Sequence, residues 1–176
     1  MRVISLTNIS LKEMRLCDLD KAKESIFTYI FKPFPRMLAN KSVVILLIDD
    51  DEDDRDFFKI ALSDADINVN CQMASGATMA YEKLENSDFI PDFIFLDLNM
   101  PGINGRACLK QLKSNSKTAQ IPVVIYSTSS EKHDINETQA LGAVHFITKP
   151  TNLTQLTADL TNFFNQQFQS NIDHEK

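Results

Sequence analysis

Short apolar runs recur along the chain, and each is followed by polar or acidic residues. The first run, residues 43–48, is wholly apolar and rich in β-branched side chains, and it ends at a series of acids. Such a run is typical of a strand that is buried on both faces of a parallel sheet. Four further strands are predicted at residues 69–73, 93–96, 123–126 and 144–147.

Between these strands, apolar residues recur at the three- and four-residue spacing of amphipathic helices. The clearest stripe follows the last strand, where Leu153, Leu156, Leu160 and Phe163 fall on one face. Gly142 follows the fourth helix, as glycine often does at a helix C-terminus. The predicted helices cover residues 53–66, 77–84, 107–112, 132–141 and 152–168. Strands that alternate with helices in this way predict an α/β fold with a doubly wound, five-stranded parallel sheet.

Residues 1–41 lie outside this alternation and differ from the rest in charge. They hold eight Lys/Arg and four Asp/Glu, whereas residues 42–176 hold ten and twenty, so net charges of +4 and -10 sum to -6. This shift predicts a domain boundary near residue 41. We therefore expect an N-terminal extension at residues 1–41, a main domain at 42–170 and a flexible tail at 171–176.

Three interpretations of the N-terminal extension stay open. Leu11 and Met14 begin an apolar face on a helix that Pro33 and Pro35 would end. Because short isolated helices are marginal in water, a flexible or weakly helical arm is one interpretation. A helix that docks on a partner is the second. In the third, translation starts at Met37 and most of the extension is absent.

Composition and charge exclude several classes of function. The acidic main domain would repel nucleic-acid phosphates, so no nucleic-acid partner is expected. The longest apolar run has six residues, too few to span a membrane, and the first thirty residues lack the apolar core of a signal peptide. The three cysteines form no CxxC pair, which favours free thiols in a reducing compartment and hence a cytoplasmic location.

Chemically active side chains follow four of the five predicted strands. Asp49 and Asp50 come after the first strand, Asp97 after the third, Ser127 after the fourth and Lys149 after the fifth. In an open parallel sheet the carboxyl ends of the strands meet at one edge, where ligands bind. Three carboxylates at one place repel each other, and a hard divalent cation would resolve the repulsion. Mg²⁺ suits such a site because it accepts an incomplete set of protein oxygens that phosphate completes.

This set of groups has the chemistry of a phosphoryl acceptor. Asp97 would be the nucleophile and would form an aspartyl phosphate. The metal and Lys149 would neutralise charge on the transferring oxygens, and Ser127 would hydrogen-bond the bound phosphoryl group. The acids of residues 52–56 are expected to be a solvated first helical turn that is stabilised by the helix dipole. The role of Asp51 stays open.

From Val43 to about residue 168, the chain resembles a response-regulator receiver domain of two-component signalling, of the bacterial chemotaxis type. Residues 47–51, 95–102, 122–127 and 142–150 carry the resemblance. The spacings of 30 residues from Asp97 to Ser127 and of 22 residues from Ser127 to Lys149 fit that family. The resemblance implies a flavodoxin-like (βα)5 receiver fold and a signalling module rather than an enzyme.

The same resemblance assigns roles to individual residues. Asp97 is implied as the phospho-acceptor, and Phe146 stands in the place of a switch aromatic that packs inward when Ser127 is drawn to the phosphate. Thr128 departs from the Ala that is common at its position, and its larger side chain is expected to narrow access to the phosphoryl group. The implied Mg²⁺ ligands are Asp49, Asp50, Asp97 and the backbone carbonyl of Asn99.

The implied function is that of a single-domain response regulator. A histidine kinase or a phosphotransfer protein would phosphorylate Asp97, and the fourth helix, fifth strand and fifth helix would contact a downstream protein. Too few residues follow Lys149 for an effector domain, so the output is expected to be a protein contact or a phosphate relay. Phosphorylation-dependent dimerisation stays open.

Two alternatives to this function stay open at the level of sequence. One is a non-phosphorylated adaptor that keeps only the fold. The other is an aspartyl-phosphate hydrolase, which would need a second acid two residues after its nucleophile to protonate the leaving group. The chain has Asn99 at that position, which argues against the hydrolase.

Overall fold

The computed structural model describes residues 42–86 and 88–169. The strands are β1 (Val43–Ile48), β2 (Val69–Ala74), β3 (Phe93–Leu96), β4 (Val123–Ser127) and β5 (His145–Thr148). The helices are α1 (Glu52–Asp64), α2 (Ala77–Glu85), α3 (Gly105–Ser114), α4 (Lys132–Ala140) and α5 (Leu153–Gln169). The strands form one parallel sheet in the order β2-β1-β3-β4-β5. The predicted fold class is confirmed.

The central strands are buried on both faces because apolar side chains occupy successive positions along them. On one face, side chains of β1, β3 and β4 pack with those of α2 and α3. On the other face, the ring of Phe58 in α1 lies 5.1 Å from the rings of both Phe95 and Tyr126, and Phe163 of α5 lies 5.6 Å from Phe95. These edge-on aromatic contacts hold the sheet between its two helical layers.

Helix ends lie within two residues of the predicted ends, and the differences have local reasons. The α3 helix begins at Gly105 rather than at residue 107, because the side chain of Asn104 accepts a hydrogen bond from the backbone of Ala107 at 2.9 Å and caps the helix. The α1 helix ends before Asp66, which has a φ of 51°. Gly142, with a φ of 98°, follows α4 as the sequence predicted.

The strand order places the switch point of the sheet between β1 and β3, whose connections leave toward opposite faces. The last residues of these strands are paired, so Asp49 and Asp97 emerge side by side. The N–H of Asp97 donates to the carbonyl at the end of β1 at 2.9 Å. The N–H of Lys149 donates to the carbonyl of Ser127 at 2.8 Å. Backbone hydrogen bonds therefore fix the points from which the candidate side chains start.

The predicted N-terminal extension at residues 1–41 and the predicted tail at residues 171–176 lie outside the described residues. The proposed boundary near residue 41 therefore stays a prediction. Within the ranges that the structure describes, no helix is long and apolar enough to cross a membrane.

Candidate functional site

The structure brings together four of the side chains that the sequence singled out. Asp49, Asp50 and Asp97 each place a carboxylate oxygen within 4.8 Å of the others. Asp49 and Asp97 are buried, whereas Asp50 is exposed to solvent. The ammonium of Lys149 joins them from the end of β5. These four residues are called the strand-end cluster below.

Lys149 is the cation of the strand-end cluster. Its Nζ lies 2.7 Å from Asp49 Oδ2 and 3.3 Å from Asp97 Oδ2, and only 6% of its side chain is exposed. Burial alone would lower the pKa of Lys149, but its close contacts with the carboxylates of Asp49 and Asp54 and the charge of Asp97 outweigh burial and raise it. The side chain therefore stays an ammonium, within reach of any group bound at Asp97.

The surroundings of Asp49 disfavour the ionised form of its carboxyl group. Burial raises the pKa of Asp49 from 3.8 to about 6, although Lys149 and the N–H of Asp51, 3.1 Å away, act in the opposite direction. The neighbouring charge of Asp97 adds to the increase. A cation nearby stabilises a buried, ionised carboxylate more than it stabilises an exposed one, because water does not solvate the buried charge.

Among the residues that the structure describes, two buried oxygens of the strand-end cluster find no hydrogen-bond donor. They are Asp97 Oδ1 and Asp49 Oδ2, of which the latter contacts Lys149 as an ion pair. Buried polar atoms without a partner are uncommon in folded proteins. Three carboxylates that converge on one point with unsatisfied oxygens offer the hard ligands that Mg²⁺ prefers. The residues present therefore fit a divalent cation.

Ser127 lies buried at the end of β4, where the side chain of Asn99 reaches it. Asn99 Nδ2 donates to Ser127 Oγ at 3.4 Å and to Thr128 Oγ1 at 3.2 Å. The Asn99 amide thus connects the segments that follow β3 and β4. Thr128 is exposed at this position, and its expected effect on phosphoryl access stays a prediction. The ligand role of the Asn99 carbonyl also stays a prediction.

Comparison with known proteins identifies this arrangement. The family model described as "Response regulator receiver domain" matches residues 45–161. The chain belongs to the response regulator receiver family. Chemotaxis protein CheY-3 of Vibrio cholerae is 30% identical over 127 residues, which cover 72% of this chain and 95% of CheY-3. The resemblance inferred from the strand-end residues is confirmed.

Solved structures of receivers agree with the fold. The crystal structure of the phosphorylated cyanobacterial phytochrome response regulator RcpA has a TM-score of 0.64 at 30% identity, covering 70% of this chain and 91% of that one. The Mn²⁺-bound form of response regulator Rcp1 has a TM-score of 0.60 at 29% identity, covering 68% and 90%. The related proteins include response regulators such as CheY-3 and Rcp1. They also include protein-glutamate methylesterases, and the region that matches this chain covers about a third of the length of those proteins.

Phe146, the predicted switch aromatic of this receiver, lies on β5 opposite Ile125 of β4. Its side chain is partly buried and packs against the core on the side of α2 and α3. Phe146 is thus neither fully inside nor fully exposed. Its role in switching stays a prediction.

Sequence reasoning missed the role of Asp54, which was expected to be a solvated acid. Asp54 Oδ2 instead accepts a hydrogen bond from Lys149 Nζ at 2.7 Å. Asp51, whose role was open, is the N-cap of α1 and accepts hydrogen bonds from the backbone N–H groups of Asp53 and Asp54. The sequence did hold one indication that Asp54 lies near the strand-end cluster. The first turn of α1 follows the end of β1 after only three residues.

The role of Gly105 was also missed, since this residue precedes the helix predicted at residues 107–112. It is the first residue of α3, and a Cβ on it would lie 2.0 Å from the carbonyl oxygen of Asp97 and 2.6 Å from the Cα of Leu98. No side chain fits at such distances. The glycine therefore lets the start of α3 pack directly on the backbone that carries Asp97.

A second group of acids lies on α4 of the receiver, beside α3. His133, Asp134 and Glu137 could also bring ligand atoms within 4.8 Å of one another. Arg106 of α3, however, donates to Asp134 Oδ1 and, at 2.7 Å, to Glu137 Oε2. Ser129 Oγ donates to Asp134 Oδ2 at 2.6 Å, and these hydrogen bonds lower the pKa of Asp134. Asp134, Glu137 and Arg106 are called the helix cluster below.

Proposed function

We propose that this receiver accepts a phosphoryl group on Asp97 from a histidine kinase or a phosphotransfer protein, with Mg²⁺ as its cofactor. The observation that carries the proposal is the state of the Asp97 carboxylate. It is buried beside the Lys149 ammonium, and no group within residues 42–86 and 88–169 donates a hydrogen bond to its Oδ1. A carboxylate oxygen that is available for bonding, with a cation next to it, is what nucleophilic attack on phosphorus requires.

The proposed reaction is a displacement at phosphorus, in which the phosphoryl group moves from a histidine of the donor protein to Asp97. An oxygen of Asp97 forms a bond to phosphorus while the bond from phosphorus to the donor imidazole nitrogen breaks, and that nitrogen keeps the electron pair and takes a proton from solvent. Lys149 neutralises charge on the phosphoryl oxygens, and the Ser127 hydroxyl donates a hydrogen bond to one of them. Asp49, Asp50, Asp97 and the Asn99 carbonyl would hold Mg²⁺, which supplies further neutralisation when bound.

Two solved relatives support this chemistry by analogy. RcpA was crystallised in a phosphorylated form, and Rcp1 was crystallised with Mn²⁺. Both cover at least two thirds of this chain at 29–30% identity. The proposal extends these properties to the strand-end cluster of this receiver.

We further propose that the output is a protein contact through α4, β5 and α5, or a relay of the phosphate, as in a single-domain response regulator. β5 forms one edge of the sheet, and its partly buried Phe146 is paired with β4, which ends at Ser127. Movement of Ser127 toward a phosphoryl group would thus reach Phe146 through neighbouring strands. Phosphorylation-dependent dimerisation through this surface belongs to the same proposal.

A cytoplasmic location is part of the proposal. Cys71 and Cys108 are both free thiols in the described part of the chain, as expected in a reducing compartment.

The proposal is tested by the intact mass of the protein after incubation with Mg²⁺ and acetyl phosphate. The wild type is expected to gain one phosphoryl group that hydroxylamine removes, and Asp97→Asn is expected to gain none. Asp53→Asn, which alters an exposed acid of α1, serves as the matched control and should be labelled like the wild type. Labelling of Asp97→Asn at the wild-type level would contradict the assignment.

A further inference from the structure

Asp54 and the proposed phospho-acceptor share one ammonium. Lys149 Nζ lies 2.7 Å from Asp54 Oδ2 and 3.3 Å from Asp97 Oδ2. The contact with Asp54 has hydrogen-bond geometry, whereas that with Asp97 is an ion pair. In the described structure, therefore, the lysine is bound more closely to Asp54 than to the residue that it is expected to serve.

Asp54 lies in the first turn of α1, so the capped start of that helix fixes the position of its backbone. Asp51 caps α1 and accepts hydrogen bonds from the N–H groups of Asp53 at 2.9 Å and of Asp54 at 3.4 Å. Lys149 is fixed in turn by the hydrogen bond between its backbone and that of Ser127. Both partners thus start from anchored backbone, so the contact is not a meeting of two mobile surface side chains.

Asp54 differs from the carboxylates of the strand-end cluster in not being a candidate metal ligand, and it is more exposed than Asp97. Asp49, Asp50 and Asp97 converge as metal-ligand candidates, and Asp54 is not part of that group. Within residues 42–86 and 88–169, the only salt bridge of Asp54 is with Lys149. Its side chain is 38% exposed, compared with 7% for Asp97. The described contacts thus assign Asp54 to the lysine alone.

We propose that Asp54 is a positioning residue that holds Lys149 in the unphosphorylated arrangement. A phosphoryl group on Asp97 then has to draw the ammonium away from Asp54. The negative charge of Asp54 also repels that phosphoryl group, so both effects weaken phosphoryl binding in the same direction. This inference rests on the proposed function of Asp97 and Lys149, and it assigns Asp54 the task of setting how readily that site fills.

The test is an equilibrium titration with beryllofluoride, a phosphoryl mimic, in the presence of Mg²⁺, monitored by NMR on the full chain. Asp54→Asn keeps the shape of the side chain and removes its charge. We expect beryllofluoride to bind this variant about fivefold more tightly than the wild type, which is the effect of removing an ion pair worth ~1 kcal/mol. Asp54→Glu, which keeps the carboxylate, should bind close to wild type.

Asp53→Asn is the matched control, because it removes the same charge one residue away from an exposed side chain. It should bind like the wild type, which separates the contact from the general effect of charge. Unchanged or weaker binding by Asp54→Asn overturns the inference while leaving the proposed function intact, provided that the wild type binds. Failure of the wild type itself to bind overturns both. A purely structural role for Asp54 would lower the Tm of Asp54→Asn without tightening binding.

Discussion

The strand-end cluster and the helix cluster contain similar acids but differ in how these acids are paired. In the helix cluster, Arg106 and Ser129 donate hydrogen bonds to three of the carboxylate oxygens of Asp134 and Glu137. In the strand-end cluster, Asp97 Oδ1 is buried without a hydrogen bond to any described part of the chain. The contrast teaches that a group of acids points to a bound cation when its pairing is incomplete, and that the number of acids alone does not.

Burial and backbone explain why the two clusters differ. Carboxylates on the exposed side of a helix can turn toward an arginine, whose planar group meets two acids at once. Asp49 and Asp97 instead start from neighbouring, hydrogen-bonded strand ends and are buried, so they cannot move apart. Lys149 relieves part of their repulsion, and a bound divalent cation would relieve more of it.

The largest expected effect concerns Mg²⁺ binding. Asp50→Asn removes a carboxylate of the strand-end cluster from an exposed position, so the fold is expected to persist. We expect its Mg²⁺ affinity to fall by at least the roughly 10- to 100-fold that follows loss of an outer-shell partner. Asp134→Asn, in the helix cluster, should bind Mg²⁺ like the wild type. Calorimetric titration measures both affinities. An equal loss of Mg²⁺ affinity in the two variants would show that the clusters do not differ in cation binding.

Gly105 connects the two clusters, because it precedes Arg106 and packs on the backbone of Asp97. Gly105→Ala would place a methyl group 2.0 Å from a backbone oxygen, so α3 has to move. We expect the free energy of unfolding to fall by about 1–3 kcal/mol, as for other overpacked sites.

Urea unfolding measures the effect of Gly105→Ala, and Gly102→Ala is the control. No atom lies within 4 Å of a Cβ at Gly102, although its φ of 75° strains any other residue. We therefore expect a smaller loss there, about 1–2 kcal/mol. A loss at Gly105 no greater than at Gly102 would show that α3 does not need this close approach.

When Mg²⁺ is removed with a chelator, the contributions of the two clusters to the free energy of unfolding should change with pH in opposite directions. The pKa of Asp49 is raised to about 6 from 3.8, so the folded state binds its proton more tightly than the unfolded state does. Its contribution to stability therefore falls as pH rises from about 4 to about 6. The pKa of Asp134 is lowered, so its contribution is present above the usual pKa of 3.8 and is lost as pH falls below it.

Urea unfolding across this range, with Asp49→Asn and Asp134→Asn beside the wild type, separates the two contributions. Asp49→Asn should remove the decline between about pH 4 and pH 6 that follows from the raised pKa of Asp49. Asp134→Asn should remove part of the loss at more acidic pH. If both variants flatten the same part of the curve, the electrostatic contrast between the clusters is wrong.

The smallest expected effect is on the ion pairs of the helix cluster. Arg106→Ala leaves Asp134 and Glu137 without their guanidinium, but these side chains are partly solvated. We expect a small decrease in Tm that shrinks further at high salt, because exposed pairs are weak and screened. Lys110→Ala, at an exposed position of the same helix, should leave Tm nearly unchanged. A large, salt-independent decrease for Arg106→Ala would contradict this interpretation.

The sequence predicted the sheet and the convergence of the strand-end cluster because both depend on local patterns. Apolar runs mark buried strands, and the carboxyl ends of parallel strands meet at one edge by geometry. Asp49, Asp97 and Lys149 each follow a strand directly, so their meeting required no knowledge of how the helices pack.

Contacts that depend on helix packing could not be predicted. The pair of Asp54 and Lys149 spans 95 residues and requires the first turn of α1 to lie beside the end of β5. The contacts of Arg106 with α4 span 28 and 31 residues and depend on how α3 and α4 lie together. The close approach of Gly105 to the Asp97 backbone likewise exists only in the folded chain, so no local pattern predicted it.

Asp97 is the proposed phosphoryl acceptor among several neighbouring acids. Borohydride reduction of the protein after reaction with acetyl phosphate and Mg²⁺ tests this assignment directly, because an aspartyl phosphate is reduced to homoserine. Peptide mass spectrometry should place homoserine at position 97 and nowhere else. Homoserine at position 49, 50 or 54, or none in protein that has gained a phosphoryl group, would contradict the account.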